Sequence, residues 1–274
     1  MTYFDNVGRR IPSATTRSFS DISQSFYQIK QPEIDYSRIW NNSIKFNQLN
    51  SSINFAKACS AFDELKSQIE ANPDYSNLMQ GVHVPFMCGQ FESTGDLGRD
   101  LENIQLPNLK NSFNAMTSNH HFKATLQGNS KLASSISIDP RARYNDFLEK
   151  CKHNTVVGWY FPKALQQFDI ESQRQQMVDL PETKNMCLSG GIDIVAALIG
   201  TPNLLISEDF YSPILCLSAY VHADPRLVLL LKSYGPHMEF WCMTQMLKKN
   251  VTQVSEQWAG GITFYLALNQ IMSV

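Results

Sequence analysis

LSGGIDIVAALIGTPNLLI, residues 188–206, is the longest apolar stretch of this chain and sets the expectation for its fold. Asp193, two adjacent glycines and Pro202 interrupt it, whereas a membrane span needs about 20 predominantly apolar residues. The stretch therefore predicts a buried core helix that ends at Gly200, and no membrane span.

The segments on both sides of this helix carry signals typical of further helices. DPRARYNDFLEKCKH (139–153) and DPRLVLLLKSYG (224–235) both begin with Asp-Pro-Arg. Aspartate is a preferred N-cap, and proline is favoured at the first helical position. PHMEFWCMTQMLKKN (236–250) and GITFYLALNQIMSV (261–274) are apolar and contain no proline after their start. We expect Asp139 and Asp224 to be helix N-caps, and residues 140–274 to form a helical core.

The first half of the chain has a more mixed pattern. Ser51 or Ser52 is a candidate cap for a helix whose apolar positions recur at helical spacing from Ile53 to Ile69. Short strands are predicted within residues 81–91, 120–128 and 134–139. Residues 33–139 are therefore expected to form an irregular α+β region packed on the core. The predicted fold class is α+β, dominated by helices, with a helical C-terminal core and an irregular, partly β N-terminal half.

Residues 1–32 are predicted to be an extended N-terminal arm. The segment is rich in Ser, Thr and Arg, but it contains more aromatic residues than a solvated tail would. We expect it to dock in extended form, on its own body or on a neighbour. Its aromatic anchors are Tyr3, Phe4, Phe19, Phe26 and Tyr27. A second candidate interface is the apolar C-terminal segment around Phe240, Trp241 and Met243, because Trp and Met are enriched at binding surfaces.

Charge and cysteine content restrict the classes of partner and compartment. The net charge is −2, and no basic run exceeds the pairs Arg9–Arg10 and Lys248–Lys249, so nucleic-acid binding is disfavoured. Six cysteines are irregularly spaced among apolar neighbours, which is typical of reduced core thiols. The N-terminus shows no signal peptide. These features favour a reducing, cytoplasmic compartment, in the protein's own cell or in a host.

The best catalytic candidate in the sequence is Cys187. A thiolate is stabilised at a helix N-terminus, and Ser189, Gly190 and Gly191 follow it with amides that could bind an oxyanion. His222 and Asp224 form an H-x-D pair that could assist it. Burial of Cys187 in a packed core and capping by Asp224 are the competing explanations.

No complete catalytic, metal-binding or nucleotide-binding signature is present, so no cofactor or metal is expected. The sequence favours a non-catalytic structural or adaptor subunit of a cytoplasmic assembly that acts through contacts with other proteins or with copies of itself. One alternative is a cysteine-dependent hydrolase or transferase that uses Cys187 with a histidine. A third interpretation is a viral nucleoprotein or coat subunit. Separately, the richness in Asn, Ser, Gln and Met points to a microbial or viral source.

Overall fold

The structure, a computed structural model, describes residues 2–14, 16, 26–47, 49, 54–89, 93–116, 121–126, 131–244, 247–248, 251–252 and 257–268. Its helices are α1 (Tyr36–Phe46), α2 (Phe55–Ala71), α3 (Leu97–Asp100), α4 (Leu106–Met116), α5 (Tyr144–His153), α6 (Ile170–Asp179) and α7 (Gly191–Gly200). Its strands are β1 (Val84–Cys88), β2 (His121–Leu126), β3 (Ile136–Ile138), β4 (Thr155–Phe161), β5 (Met186–Leu188), β6 (Ile214–Cys216), β7 (Tyr220–His222), β8 (Leu227–Tyr234), β9 (His237–Thr244), β10 (Leu247–Lys248), β11 (Val251–Thr252), β12 (Trp258–Gly260) and β13 (Ile262–Leu268).

A four-stranded antiparallel sheet with the strand order β1-β4-β13-β5 forms the centre of the fold. Helix α2 packs on one face, where the Trp159 indole N–H donates to the Phe62 carbonyl at 2.9 Å. Helix α5 lies on the opposite face, where the Phe147 and Tyr265 rings meet edge to face at 5.0 Å. Alternation of side chains along β4 and β13 supplies both faces with apolar groups.

Helix α7 is the predicted core helix, and every one of its residues is buried. It packs against β1 and β4 of the central sheet and against α1 and α4. A helix that is apolar all round is expected to be enclosed in this way. Its end at Gly200 is the end that the sequence predicted, and Gly200 there lies against Ile39 of α1.

A five-stranded sheet with the order β12-β6-β8-β9-β2 lies beside this core. Its inner face carries Leu229, Leu231, Met238 and Phe240, which join the main hydrophobic core. Two further sheets have two strands each, β3-β7 and β10-β11.

The predicted helix-dominated fold with a helical core from residue 140 onward is wrong, because the protein is a mixed α/β structure. LVLLLKSY, HMEFWCMT and ITFYLAL, which were expected to be helical, are the strands β8, β9 and β13. Each consists of seven or eight residues that pair with strands on both sides. β8 and most of β13 are buried on both faces and are therefore apolar, so their composition resembles that of a buried helix. β9 is enclosed on one face only, but Trp241 and Met243 make its other face apolar as well.

The two Asp-Pro-Arg motifs also differ from the prediction. Asp224 accepts a hydrogen bond from the Arg226 amide at 3.0 Å, but the segment that follows is β8, so Asp224 stabilises a turn and caps no helix. Asp139 does act as an N-cap, by accepting from the Arg141 amide at 2.9 Å, yet it caps a single 3₁₀ turn, Pro140–Ala142. Arg143 follows this turn with a left-handed backbone (φ 56°), and α5 begins only after it.

We expect Asp139→Ala to lower the free energy of unfolding by about 1–3 kcal/mol. Asp139 is 5% exposed. Its carboxylate accepts a hydrogen bond from the Arg141 guanidinium at 2.8 Å and lies 3.4 Å from the Arg174 guanidinium. Burial alone raises the pKa of Asp139, but these partners outweigh it and hold the pKa below 3.8. The stabilisation is therefore present above about pH 4 and is lost as the pH falls through the lowered pKa. Urea unfolding of both proteins at several pH values measures this. A pH-independent difference would contradict the ionic origin.

Candidate functional site

Cys187 lies in strand β5 and is fully buried. It pairs with Thr263 of β13, and helix α7 begins only at Gly191, so the thiol does not sit at the helix N-terminus. Burial, with a further contribution from the carboxylate of Asp193, raises its pKa well above the ordinary value. A neutral, enclosed thiol is a poor nucleophile, and the geometry does not favour the cysteine-hydrolase alternative.

His222 and Asp224 interact with each other and with their own turn. The His222 Nδ1 accepts a hydrogen bond from the Asp224 amide at 2.9 Å, and the Asp224 carboxylate is bound by the Arg226 guanidinium at 2.7 Å. The Arg226 side chain and this hydrogen bonding lower the pKa of Asp224 to about 2. Both side chains are bound within their own turn, whereas Cys187 is enclosed in β5 against β13, so the three do not form a triad.

A buried polar network at the start of α7 is the feature that the sequence analysis missed. Asp193 is fully buried, and its carboxylate accepts from the Tyr144 hydroxyl at 2.8 Å, the Gly190 amide at 2.9 Å and the Thr263 hydroxyl at 2.5 Å. The Ser189 hydroxyl is 2.8 Å from that of Thr263. The network thus ties α5, α7, β13 and the residues that follow β5 together. Its signal in the sequence is the single charged residue inside an apolar helix, since buried charges require partners.

This network is closed to solvent. Desolvation raises the pKa of Asp193, although its hydrogen bonds act in the opposite direction. A Cβ at Gly190 would lie 2.8 Å from the Tyr144 ring, and one at Gly191 would lie 2.7 Å from the Tyr220 ring, so aromatic side chains cover the backbone here. With Ser189, Asp193 and Thr263 all inaccessible, the arrangement stabilises the fold and offers no substrate access.

The C-terminal candidate residues divide between the two faces of β9. Phe240 is fully buried in the main core, between Met238 and Cys242 on the same face. Trp241 and Met243 point to the other face, where they are half-buried and pack on a small cluster that includes Leu230. The Lys232 ammonium lies 3.5 Å from the Trp241 ring centroid.

Tyr3 and Phe4 pack on the chain's own body. Phe4 is fully buried and its ring lies 6.1 Å from that of Tyr75, on which Tyr3 also stacks. The Phe4 carbonyl accepts from the Asn77 side chain at 2.9 Å, and the Arg10 amide donates to the Ala164 carbonyl at 2.7 Å. Phe4 therefore belongs to the core, and Tyr3 packs against it.

Phe26 and Tyr27 lie in a different environment, at the surface. Residue 27 forms a parallel bridge with Tyr211, and the Tyr211 amide donates to the Phe26 carbonyl at 3.2 Å. The rings of Tyr27 and Tyr211 are 6.0 Å apart. Phe210 is half-buried beside them, with the Lys30 ammonium 4.7 Å from its ring centroid. We call Phe26, Tyr27, Phe210 and Tyr211 the aromatic patch; Phe19 lies outside the described residues.

The aromatic patch contains the two most exposed large apolar side chains in the described part of the chain, Tyr211 at 67% and Phe26 at 60%. A cleft of about 220 Å³ opens at the Phe210 side of the patch. Its apolar lining includes Ile29, Pro32, Leu204, Ile206 and Phe210, and its polar lining includes Gln28, Gln31, Asn203, Ser207 and Ser212. Clusters of exposed aromatic residues next to a cleft are typical of sites that bind other proteins.

Comparison of the chain with known protein families, curated proteins and solved structures gives no match. Within the described ranges, no group of three or more His, Cys, Asp or Glu side chains is placed to hold a metal ion. In the same part of the chain, no helix has both the length and the apolar character that crossing a bilayer requires.

Proposed function

We propose that the protein is a non-catalytic structural or adaptor subunit of a cytoplasmic assembly, and that it binds a partner protein through the aromatic patch. The observation that supports this most directly is the exposure of Tyr211 and Phe26 side by side. Aromatic side chains dominate the energetics of protein interfaces because they bury a large area with few rotatable bonds. The six free cysteines are in keeping with a reducing compartment.

The cleft defines the chemistry of the partner. An apolar cavity of about 150 Å³ is large enough for benzene, so a cleft of about 220 Å³ accepts one bulky apolar side chain. The polar groups of its lining can bind the backbone on either side of that residue. Lys30, the charged residue of the cleft lining, forms an exposed ion pair with Asp209, so its charge is offset beside the cleft. The partner is therefore an extended, uncharged segment with one bulky apolar anchor.

A random peptide display library tests this with immobilised full-length protein as the target. We expect the wild-type protein to enrich peptides that share one bulky apolar residue between uncharged residues. The double variant Phe26→Ser/Tyr211→Ser is expected to weaken binding of these peptides about 30-fold, which corresponds to the loss of roughly 2 kcal/mol at an interface hot spot.

Tyr234→Ser is the matched control, because Tyr234 is an aromatic residue of similar exposure (57%) outside the patch. The control variant should bind the selected peptides as the wild type does. Failure to enrich any such peptide, or equal binding by the double variant, would overturn the assignment of the patch as the binding surface.

A further inference from the structure

Two buried cysteines meet between the central sheet and helix α5. Cys88 is the last residue of β1, and Cys151 lies in the last turn of α5, 63 positions further along the chain. Their sulfur atoms are 3.5 Å apart, and the residues are 6% and 1% exposed. A disulfide bond is about 2.05 Å long, so an approach of roughly 1.5 Å would join them.

This pair differs from the other cysteines of the chain. In the described part of the chain, which includes all six, no other two cysteine sulfurs are in contact with each other. Cys187 and Cys216 are fully enclosed, whereas Cys88 is 6% exposed and ends an edge strand of its sheet. Strand ends open at a lower free energy than the interior of a sheet does.

We propose that Cys88 and Cys151 are an oxidative modification site that forms an intramolecular disulfide with a peroxide as the oxidant. The Cys88 thiolate attacks one peroxide oxygen, the O–O bond breaks, and water leaves after protonation, which gives a sulfenic acid. The Cys151 sulfur then attacks the Cys88 sulfur, and the sulfenic oxygen leaves as a second water. Two thiols and one hydrogen peroxide thus yield one disulfide and two waters.

The order of these steps follows from the surroundings of the two sulfurs. Burial, with a hydrogen bond and charge from Cys88, raises the pKa of Cys151 well above the ordinary value, so Cys151 remains a thiol in the resting protein. Cys88 is the more exposed of the two and ends the edge strand, so it is the first to react, and Cys151 resolves the sulfenic acid at close range. The inference does not depend on the proposed function, because neither sulfur belongs to the aromatic patch.

The disulfide would fasten the edge strand β1 to α5, the helix that carries Tyr144 of the buried network. A cross-link between residues this far apart restricts the unfolded chain strongly and stabilises the folded state. Oxidation should therefore raise the melting temperature by several degrees, and a dithiol reductant should reverse the rise.

Full-length reduced protein treated with one equivalent of hydrogen peroxide tests the proposal. Thiols are then blocked with N-ethylmaleimide under denaturing conditions, and peptides are identified by mass spectrometry without reduction. We expect the free-thiol count to fall by two from six, with Cys88 linked to Cys151.

Cys151→Ala should retain Cys88 as a sulfenic acid, which dimedone traps, and should show no reversible rise in melting temperature. Cys242→Ala is the control and should form the disulfide as the wild type does. A different pairing, or no loss of thiols, would overturn the proposal.

Discussion

Asp193→Ala is expected to lower the free energy of unfolding by about 3 kcal/mol or more, because it leaves buried donors without an acceptor. The carboxylate accepts from the Tyr144 hydroxyl, the Thr263 hydroxyl and the Gly190 amide. Each unpaired buried group costs about 1–3 kcal/mol. The Thr263 hydroxyl can turn to Ser189, so the three costs do not add in full. Urea denaturation followed by fluorescence of the tryptophans measures the loss.

Asp193→Asn is expected to cost far less. The amide oxygen can still accept from Tyr144 and Gly190, and the amide nitrogen can donate to the Thr263 hydroxyl, which in turn donates to Ser189. The substitution also removes a charge that the core penalises, since burial raises the pKa of Asp193 above 3.8.

The sign of this electrostatic penalty gives the Asn variant a defined pH dependence. The cost of ionising Asp193 is absent below pH 3.8 and grows as the pH rises through the raised pKa. The stability of the Asn variant relative to the wild type should therefore improve from acid to neutral pH.

Asp209→Ala removes an exposed carboxylate and is the control, with a change within about 0.5 kcal/mol. If Asp193→Ala were as mild as this control, the network would not hold the fold together.

The central helix of the fold was predictable because its signals are local. Gly190 and Gly191 precede it, Gly200 ends it, and the residues between are almost all apolar. The sequence also showed that Asp193 interrupts an apolar run. It could not show the partners of Asp193, because Tyr144 and Thr263 come from segments 49 and 70 positions away.

The C-terminal strands were not predictable by the same means. LVLLLKSY contains a single β-branched residue, Val228, and leucine has a high helix propensity. β8 lies between two strands and is buried on both faces, so it lacks the alternation that marks a half-exposed strand. The Asp224–Pro225–Arg226 motif that precedes it suits both a helix start and a turn. Only the long-range pairing with β6 and β9 decides between them.

The candidate surface was recoverable in part. Phe26 and Tyr27 stand out in the sequence because aromatic residues are unusual in a polar segment. Tyr211 does not stand out, because it becomes part of the surface only through a bridge to a residue far away in the chain. Tyr3 and Phe4 stand out for the same reason as Phe26, but Phe4 lies in the core and Tyr3 against it. Burial therefore separates residues that composition alone treats as equivalent.

The strand assignment of β9 leads to a second large expected effect. Phe240→Ala should lower the free energy of unfolding by about 3–5 kcal/mol, because a fully buried ring is replaced by a cavity. Trp241→Ala should cost only about 1–2 kcal/mol. Its ring is half-buried on the opposite face, and its polar contacts there are with the Lys232 ammonium and, through the indole N–H, with the Glu239 carboxylate.

The contrast between these neighbours distinguishes a strand from a helix. In a helix, consecutive side chains lie about 100° apart around the axis, so two adjacent aromatic residues would share a broad apolar face and cost similar amounts. In a strand they lie on opposite faces, and Phe240 is enclosed with Met238 and Cys242 while Trp241 is not. Urea denaturation of both alanine variants measures the two losses, and Met238→Ala serves as the same-face control with a cost of about 2–5 kcal/mol. Equal losses for Phe240→Ala and Trp241→Ala would contradict the strand assignment of β9, because its two faces would then be equally buried. The five-stranded sheet would lose the strand that pairs with both β8 and β2.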